Sequence, residues 1–90
     1  ALDPRLNAVV RLLAEGAMAD ARAAEAEIAR PGGGPRSPLH GIPVGIKDII
    51  DIAGEPTTCH SKLCLDRVAA ADAAVVARLR AAGAVFPAKL

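Results

Sequence analysis

Lys47 closes an apolar run, Ile42-Pro43-Val44-Gly45-Ile46, and an amine carried inward by such a run is a candidate base. Burial disfavours the charged form of lysine, so an amine drawn into a low-dielectric site gives up its proton near neutral pH. A neutral amine can take a proton from a serine hydroxyl, the role that histidine has in the more familiar hydrolase triad. Lys47 and Asp48 are consecutive, so on an extended backbone they point to opposite faces and one of them must meet the covered side. The expectation is that Lys47 is the buried member. A surface lysine ending an edge strand is the plain alternative.

Other reactive types are sparse. Cys59 and His60 are adjacent, and on an extended backbone adjacent side chains diverge, so a thiolate at Cys59 would need His40 as its base. Cys59, Cys64, His40 and His60 nominally make a two-Cys, two-His set, but the spacings of a structural zinc site are missing. Cys59 and Cys64 are too few for a disulfide framework; they could pair across a short loop, but in a reducing cytosol they read as free thiols. Ser37 and Ser61 are the only serines, and neither lies in a Gly-Ser-Ser-Gly-Gly context. Gly32-Gly33-Gly34 lacks the Gly-Lys-Ser/Thr of a phosphate cradle, so residues 31–37 read as a connector.

These residues need a scaffold. Asp3-Pro4 suits a turn or a helix entry, and Leu6 to Leu13 fits either a period-two strand or a helical face. Ala17, Ala21, Ala24 and Ile28 fall on one side of a helix predicted over Ala17 to Arg30, ended by Pro31. Pro43 to Lys47 predicts a short buried strand, and Pro56-Thr57-Thr58 opens a loop that runs through Ser61. Asp72 predicts an N-cap, with an apolar stripe through Leu79 and Ala82 completed by Val75 or Val76. Arg78 and Arg80 suit the C-terminal end of that helix, and Gly83 its cap. Ala84-Val85-Phe86 then reads as a strand. Strand, helix, strand is the grammar of a parallel sheet in an α/β fold.

Ninety residues bound the chain to one small domain or part of a larger one. The sequence is 52% hydrophobic yet has one Phe and no Trp or Tyr, so each apolar position buries little area. That composition fits a piece whose neighbours complete its core; an autonomous Ala-rich mini-domain is the alternative. Net charge is +1 with both signs mixed, which argues against nucleic-acid binding and against a polybasic membrane contact. No apolar run approaches the roughly 20 residues of a membrane span, and the first residues show no secretory pattern. A cytoplasmic protein is the expectation.

The stretch Pro38-Leu39-His40-Gly41-Ile42-Pro43-Val44-Gly45-Ile46-Lys47-Asp48 resembles the first block of the amidase signature family. The resemblance continues through Asp51 to Thr58 and through Asp72 to Val85. It implies an N-terminal portion of an amidase-signature domain over residues 1–90: the opening helix-strand-helix-strand part of a mixed-sheet α/β fold, incomplete here. It also implies that Leu6 to Leu13 is extended and gives way to a helix near Glu15. The family reaction is cleavage of a C–N amide bond through a Ser-cis-Ser-Lys triad, without metal or organic cofactor, and the resemblance assigns the lysine to Lys47. Both serines and the oxyanion loop are missing from residues 1–90, so the isolated chain is expected to be inactive on small amide substrates. A non-catalytic module that self-associates through an open sheet edge is the alternative. Three positions depart from the family pattern. His60 stands where glycine is usual, Pro87 replaces an aliphatic strand residue, and Ala88-Lys89-Leu90 replaces Gly-Lys-Thr. Lys89 is expected at a solvated strand end.

Overall fold

The computed structural model describes residues 2–90. The elements in order are α1 (Asp3–Leu6), β1 (Arg11–Leu12), α2 (Ala14–Ala29), a 3₁₀ turn (Lys62–Cys64), α3 (Ala74–Ala81) and β2 (Ala88–Lys89). Pro4 opens α1, as its fixed φ favours. Asp3 does not cap that helix; its Oδ1 accepts the N–H groups of Ala8 and Val9, each at 2.9 Å, and turns the chain toward β1. The segment after Leu6 is thus non-helical, with its extended part at Arg11–Leu12.

α2 starts three residues before the Ala17 marked by the alanine spacing, next to the Glu15 that the resemblance implies, and stops before Pro31, whose ring drives Arg30 to an extended ψ of 139°. Ala17 and Ala24 face the interior, whereas Ile28, at the predicted end of the stripe, is exposed. Small alanines let α2 lie close: the Cβ of Ala24 is 3.7 Å from where a side chain on Gly41 would begin.

α3 differs from expectation at its start and agrees at its end. Its N-cap is Ala73, and Asp72 instead accepts the N–H of Ala53 at 2.8 Å and the Nε–H of Arg80 at 2.8 Å. Asp72 therefore ties the helix sideways rather than capping it. Of the two candidate stripes, Val76 is fully buried and Val75 is exposed. At the C-terminus Gly83 N–H donates to Arg80 O at 2.9 Å and Ala84 N–H to Leu79 O at 3.0 Å, the paired bonds of a Schellman cap. Gly83 has φ +90°, and a Cβ there would lie 2.5 Å from His40 Cδ2, so glycine is required twice over.

The sheet is small and mixed. β1 and β2 are antiparallel, with Arg11 opposite Lys89 and Leu12 opposite Ala88. On the other side of β2 the segment 42–48 runs parallel, through bridges of Pro43 to Val85 and Ile46 to Lys89. This is the crossover that the sequence predicts, with α3 between its parallel arms. The two bridges are three residues apart on one arm and four on the other, so the 85–90 arm carries a one-residue bulge. Pro87 lies inside it. A residue without an N–H loses no ladder bond there, which is how proline sits in a central arm. Its carbonyl turns outward to accept Leu13 N–H at 2.9 Å.

Ile46, Ile52, Val76, Ala84 and Phe86 form the core, with Leu13, Val44, Ile50, Ala73 and Leu79 packed against it. It draws on both parallel arms and on α3.

Candidate active site

The segment that ends at Ile46 presents consecutive residues to opposite faces, and the structure reverses the predicted choice. Asp48 points inward and is buried; Lys47 points outward and is exposed. The reason lies in a residue distant in sequence. Lys89, expected at a solvated end, is completely buried because β1 flanks it on one side and the 42–48 segment on the other. A buried ammonium needs a counter-charge, and Asp48 supplies it, Nζ to Oδ1 at 3.0 Å.

The pair organises the loop above it. Lys89 Nζ also donates to Pro56 O at 2.7 Å and to Thr57 Oγ1 at 2.8 Å. Asp48 accepts the N–H of Thr58 at 3.3 Å and a short hydrogen bond from Thr58 Oγ1, while its backbone carbonyl accepts Cys59 N–H at 2.9 Å. Burial pushes the Asp48 carboxyl up, but the hydrogen bonds from Thr58 and Lys89 and the positive charge of Lys89 outweigh it and hold the group below its ordinary value. Asp51 is held low chiefly by its hydrogen bonds with Arg67 and then Thr57; the Arg67 fork reaches it at 2.8 and 3.1 Å and closes the far side of the loop.

This anchoring fixes the backbone turn that follows. Cys59 and His60 both adopt left-handed φ, 51° and 57°. His60 is therefore no bar to the positive φ that glycine would take; the loop holds a side-chain-bearing residue there. His60 N–H donates to Thr58 Oγ1 at 3.1 Å, and its ring swings to the open side, where Nε2 lies 3.2 Å from Lys47 Nζ. Two faces of one segment thus carry two lysines with different settings. Lys89 is internal and fully paired; Lys47 stands free on the surface with an imidazole beside it.

The remaining candidates are committed elsewhere. Ser37 Oγ donates to Ala82 O at 2.7 Å and accepts Leu39 N–H at 3.0 Å. Ser61 Oγ accepts Leu63 N–H at 3.3 Å at the start of the 3₁₀ turn. Neither hydroxyl is bonded to Lys47. His40 is buried; its Nδ1 accepts Arg36 N–H at 3.1 Å and its Nε2 faces Glu27 Oε2 at 3.4 Å, so it is not brought to Cys59. Cys59 and Cys64 are free thiols. Among the described residues no cluster of His, Cys, Asp and Glu is placed to hold a metal ion, and no helix is long and apolar enough to cross a membrane.

Sequence reasoning missed Lys89, Asp48 and Thr58 as the frame of the site. The alternation of Lys47 and Asp48 carried half of that signal; the partner that decides it lies at the other end of the chain.

Comparison with known proteins gives a consistent picture. The family model described as Amidase matches residues 1–90. The chain is 50% identical over 90 residues to a glutamyl-tRNA(Gln) amidotransferase subunit of Roseiflexus sp. (strain RS-1), covering 100% of this chain and 18% of that protein. It is 47% identical over 89 residues to the putative amidase AmiD of Mycobacterium tuberculosis (strain ATCC 25618 / H37Rv), covering 99% of this chain and 18% of that one. Among solved structures it is similar to the peptide amidase of Stenotrophomonas maltophilia, with a TM-score of 0.86 and 40% identity, over 99% of this chain and 18% of the other. A chain of a vestigial protein complex related to the origins of an s-triazine catabolic enzyme superposes with a TM-score of 0.92 at 40% identity, over 100% of this chain and 20% of that one. The chain thus spans about a fifth of the length of these relatives.

Proposed function

This chain belongs to the amidase family, and on that premise we propose that it carries the general base of an amide-cleaving site, with Lys47 in that role. The observation that supports the reading is the placement of Lys47. Its amine is held on the open face of the 42–48 segment, above a buried ion pair that fixes the backbone beneath it. A base must reach its proton donor, and an amine sealed inside the core, like that of Lys89, could not.

The chemistry that follows is acyl transfer. Lys47, as the neutral amine, takes a proton through a bridging cis-serine from the nucleophilic serine. The serine oxygen attacks the amide carbon, and the ammonium of Lys47 returns the proton to the departing nitrogen. Water then releases the acyl group. Ser37 and Ser61 are both engaged with backbone groups, so both triad serines and the oxyanion donors are assigned to sequence outside residues 1–90. The isolated chain is accordingly inactive, and the substrate is a small amide met by the whole protein. A cytoplasmic setting, which keeps Cys59 and Cys64 reduced, belongs to the same reading.

The test is ammonia or amine release from a panel of simple amides by the full-length protein and its Lys47→Ala variant. Loss of turnover in the variant supports the assignment, and retained turnover rejects it. Turnover by residues 1–90 alone would reject the claim that the serines lie elsewhere. Self-association through a sheet edge is the competing reading. It draws on the exposure of Arg11 and Leu12 on β1, and sedimentation showing a monomer at every concentration would remove it.

A further inference from the structure

We propose that His60 is a positioning residue that fixes the Lys47 amine through its Nε2, a role that rests on the reading of Lys47 as the general base. An ammonium only donates hydrogen bonds, and a ring nitrogen accepts only when it carries no proton. In the resting ammonium, and in the neutral amine once its lone pair is turned to the serine, Nζ is the donor of the 3.2 Å contact with His60 Nε2, which then accepts as the neutral imidazole with its proton on Nδ1.

The contact is at the surface, where two long side chains ordinarily gain little by meeting. Here one partner is held in place. The backbone of His60 is locked in the left-handed region at φ 57° behind Cys59 at φ 51°, a conformation histidine tolerates better than branched residues do. Its N–H is bonded to Thr58 Oγ1, Thr58 is bonded to Asp48, and Asp48 is paired with Lys89 in the interior. A continuous chain of polar contacts thus runs from the buried pair to the imidazole. It ends on the amine. Lysine loses considerable rotamer freedom when its amine must be delivered to one point, and an acceptor already in place reduces that loss in the reacting state.

The test reads the imidazole itself. In folded protein labelled with ¹⁵N-histidine, at a pH where the rings are neutral, long-range ¹H–¹⁵N spectra identify which nitrogen carries the proton. His60 is expected as the Nδ1–H form, changing to the Nε2–H form that an unhindered ring prefers in Lys47→Met. His40 is the internal reference: its Nδ1 accepts Arg36 N–H, so it remains Nε2–H in both proteins. A second measurement compares acylation of Lys47 by an amine-selective reagent with that of exposed Lys62. His60→Ala should raise the Lys47 rate roughly threefold, in keeping with an exposed contact, and His60→Gln, which retains an acceptor, should restore it. A His60 tautomer indifferent to Lys47→Met, or a Lys47 rate indifferent to His60→Ala, overturns the proposal. Failure of the amidase reading would appear separately, as turnover that survives Lys47→Ala while the tautomer result stands.

Discussion

Lys89 Nζ and Asp48 Oδ1 lie 3.0 Å apart with both side chains 1% exposed, and every donor of the ammonium is used. A lysine ammonium has three N–H groups, and here they meet Asp48, the carbonyl of Pro56 and the hydroxyl of Thr57. Removing one member strands a charge in the interior. Lys89→Met should therefore destabilise the fold by about 3–5 kcal/mol, read from urea denaturation. In a double-mutant cycle with Asp48→Leu, the pair should show coupling above about 0.5 kcal/mol, and additive losses would contradict the pairing.

The carboxylates give the fold a definite acid sensitivity. Asp48 is held below its ordinary value because its hydrogen bonds and Lys89 outweigh burial, and Asp72 is held low first by Arg80 and then by the N–H of Ala53. A carboxyl whose folded value is depressed binds fewer protons than in the unfolded chain. Its stabilisation is complete above the unfolded value, roughly pH 4, and is lost as pH falls through the folded one. The urea midpoint should hold steady from neutrality down to about pH 5 and fall below about pH 4. Asp48→Asn should show a lower midpoint at pH 7 and a shallower fall on acidification.

Gly83 is the turn that returns α3 to the sheet. Gly83→Ala would force a side chain at φ +90° into His40, whose Cα lies 3.1 Å from the new atom. The left-handed conformation alone costs about 1–2 kcal/mol, and overpacking adds to it. A loss above about 2 kcal/mol is expected in denaturation, against about 1–2 kcal/mol for Gly54→Ala, where φ is +80° and the backbone cost remains but no atom lies within 4 Å.

Lys47 and Lys89 should separate activity from stability. Lys47 is exposed and meets only the His60 ring, so Lys47→Ala should change the unfolding free energy by no more than about 0.5 kcal/mol while abolishing amide turnover in the full-length protein. Lys89→Met should lower both. Melting curves and rates measured on the same preparations check the contrast, and a large stability loss in Lys47→Ala would contradict its surface placement.

The parts of the fold that depend on local signals were legible in the sequence. Alanine spacing located α2, Gly83 located the end of α3, and the order of elements implied the parallel crossover. What failed depended on contacts far along the chain. Alternation states that Lys47 and Asp48 face opposite ways, but the inward side is set by Lys89, which approaches from the other arm. Asp72 looked like a helix cap because nothing nearby announced its bond to Ala53. Ile28 continued the apolar stripe of α2 past the point where any described part of the chain covers it. The resemblance pointed to Lys47, yet the physical argument offered for it, burial, applies to Lys89 instead.

The extra residue around Pro87 matters because side chains along an extended arm alternate strictly between faces. With that residue inserted, the ammonium at position 89 turns toward the carboxylate of Asp48; with it deleted, everything beyond would exchange inside for outside. A point change at Pro87 itself should therefore be better tolerated than a shortening of the arm by one residue.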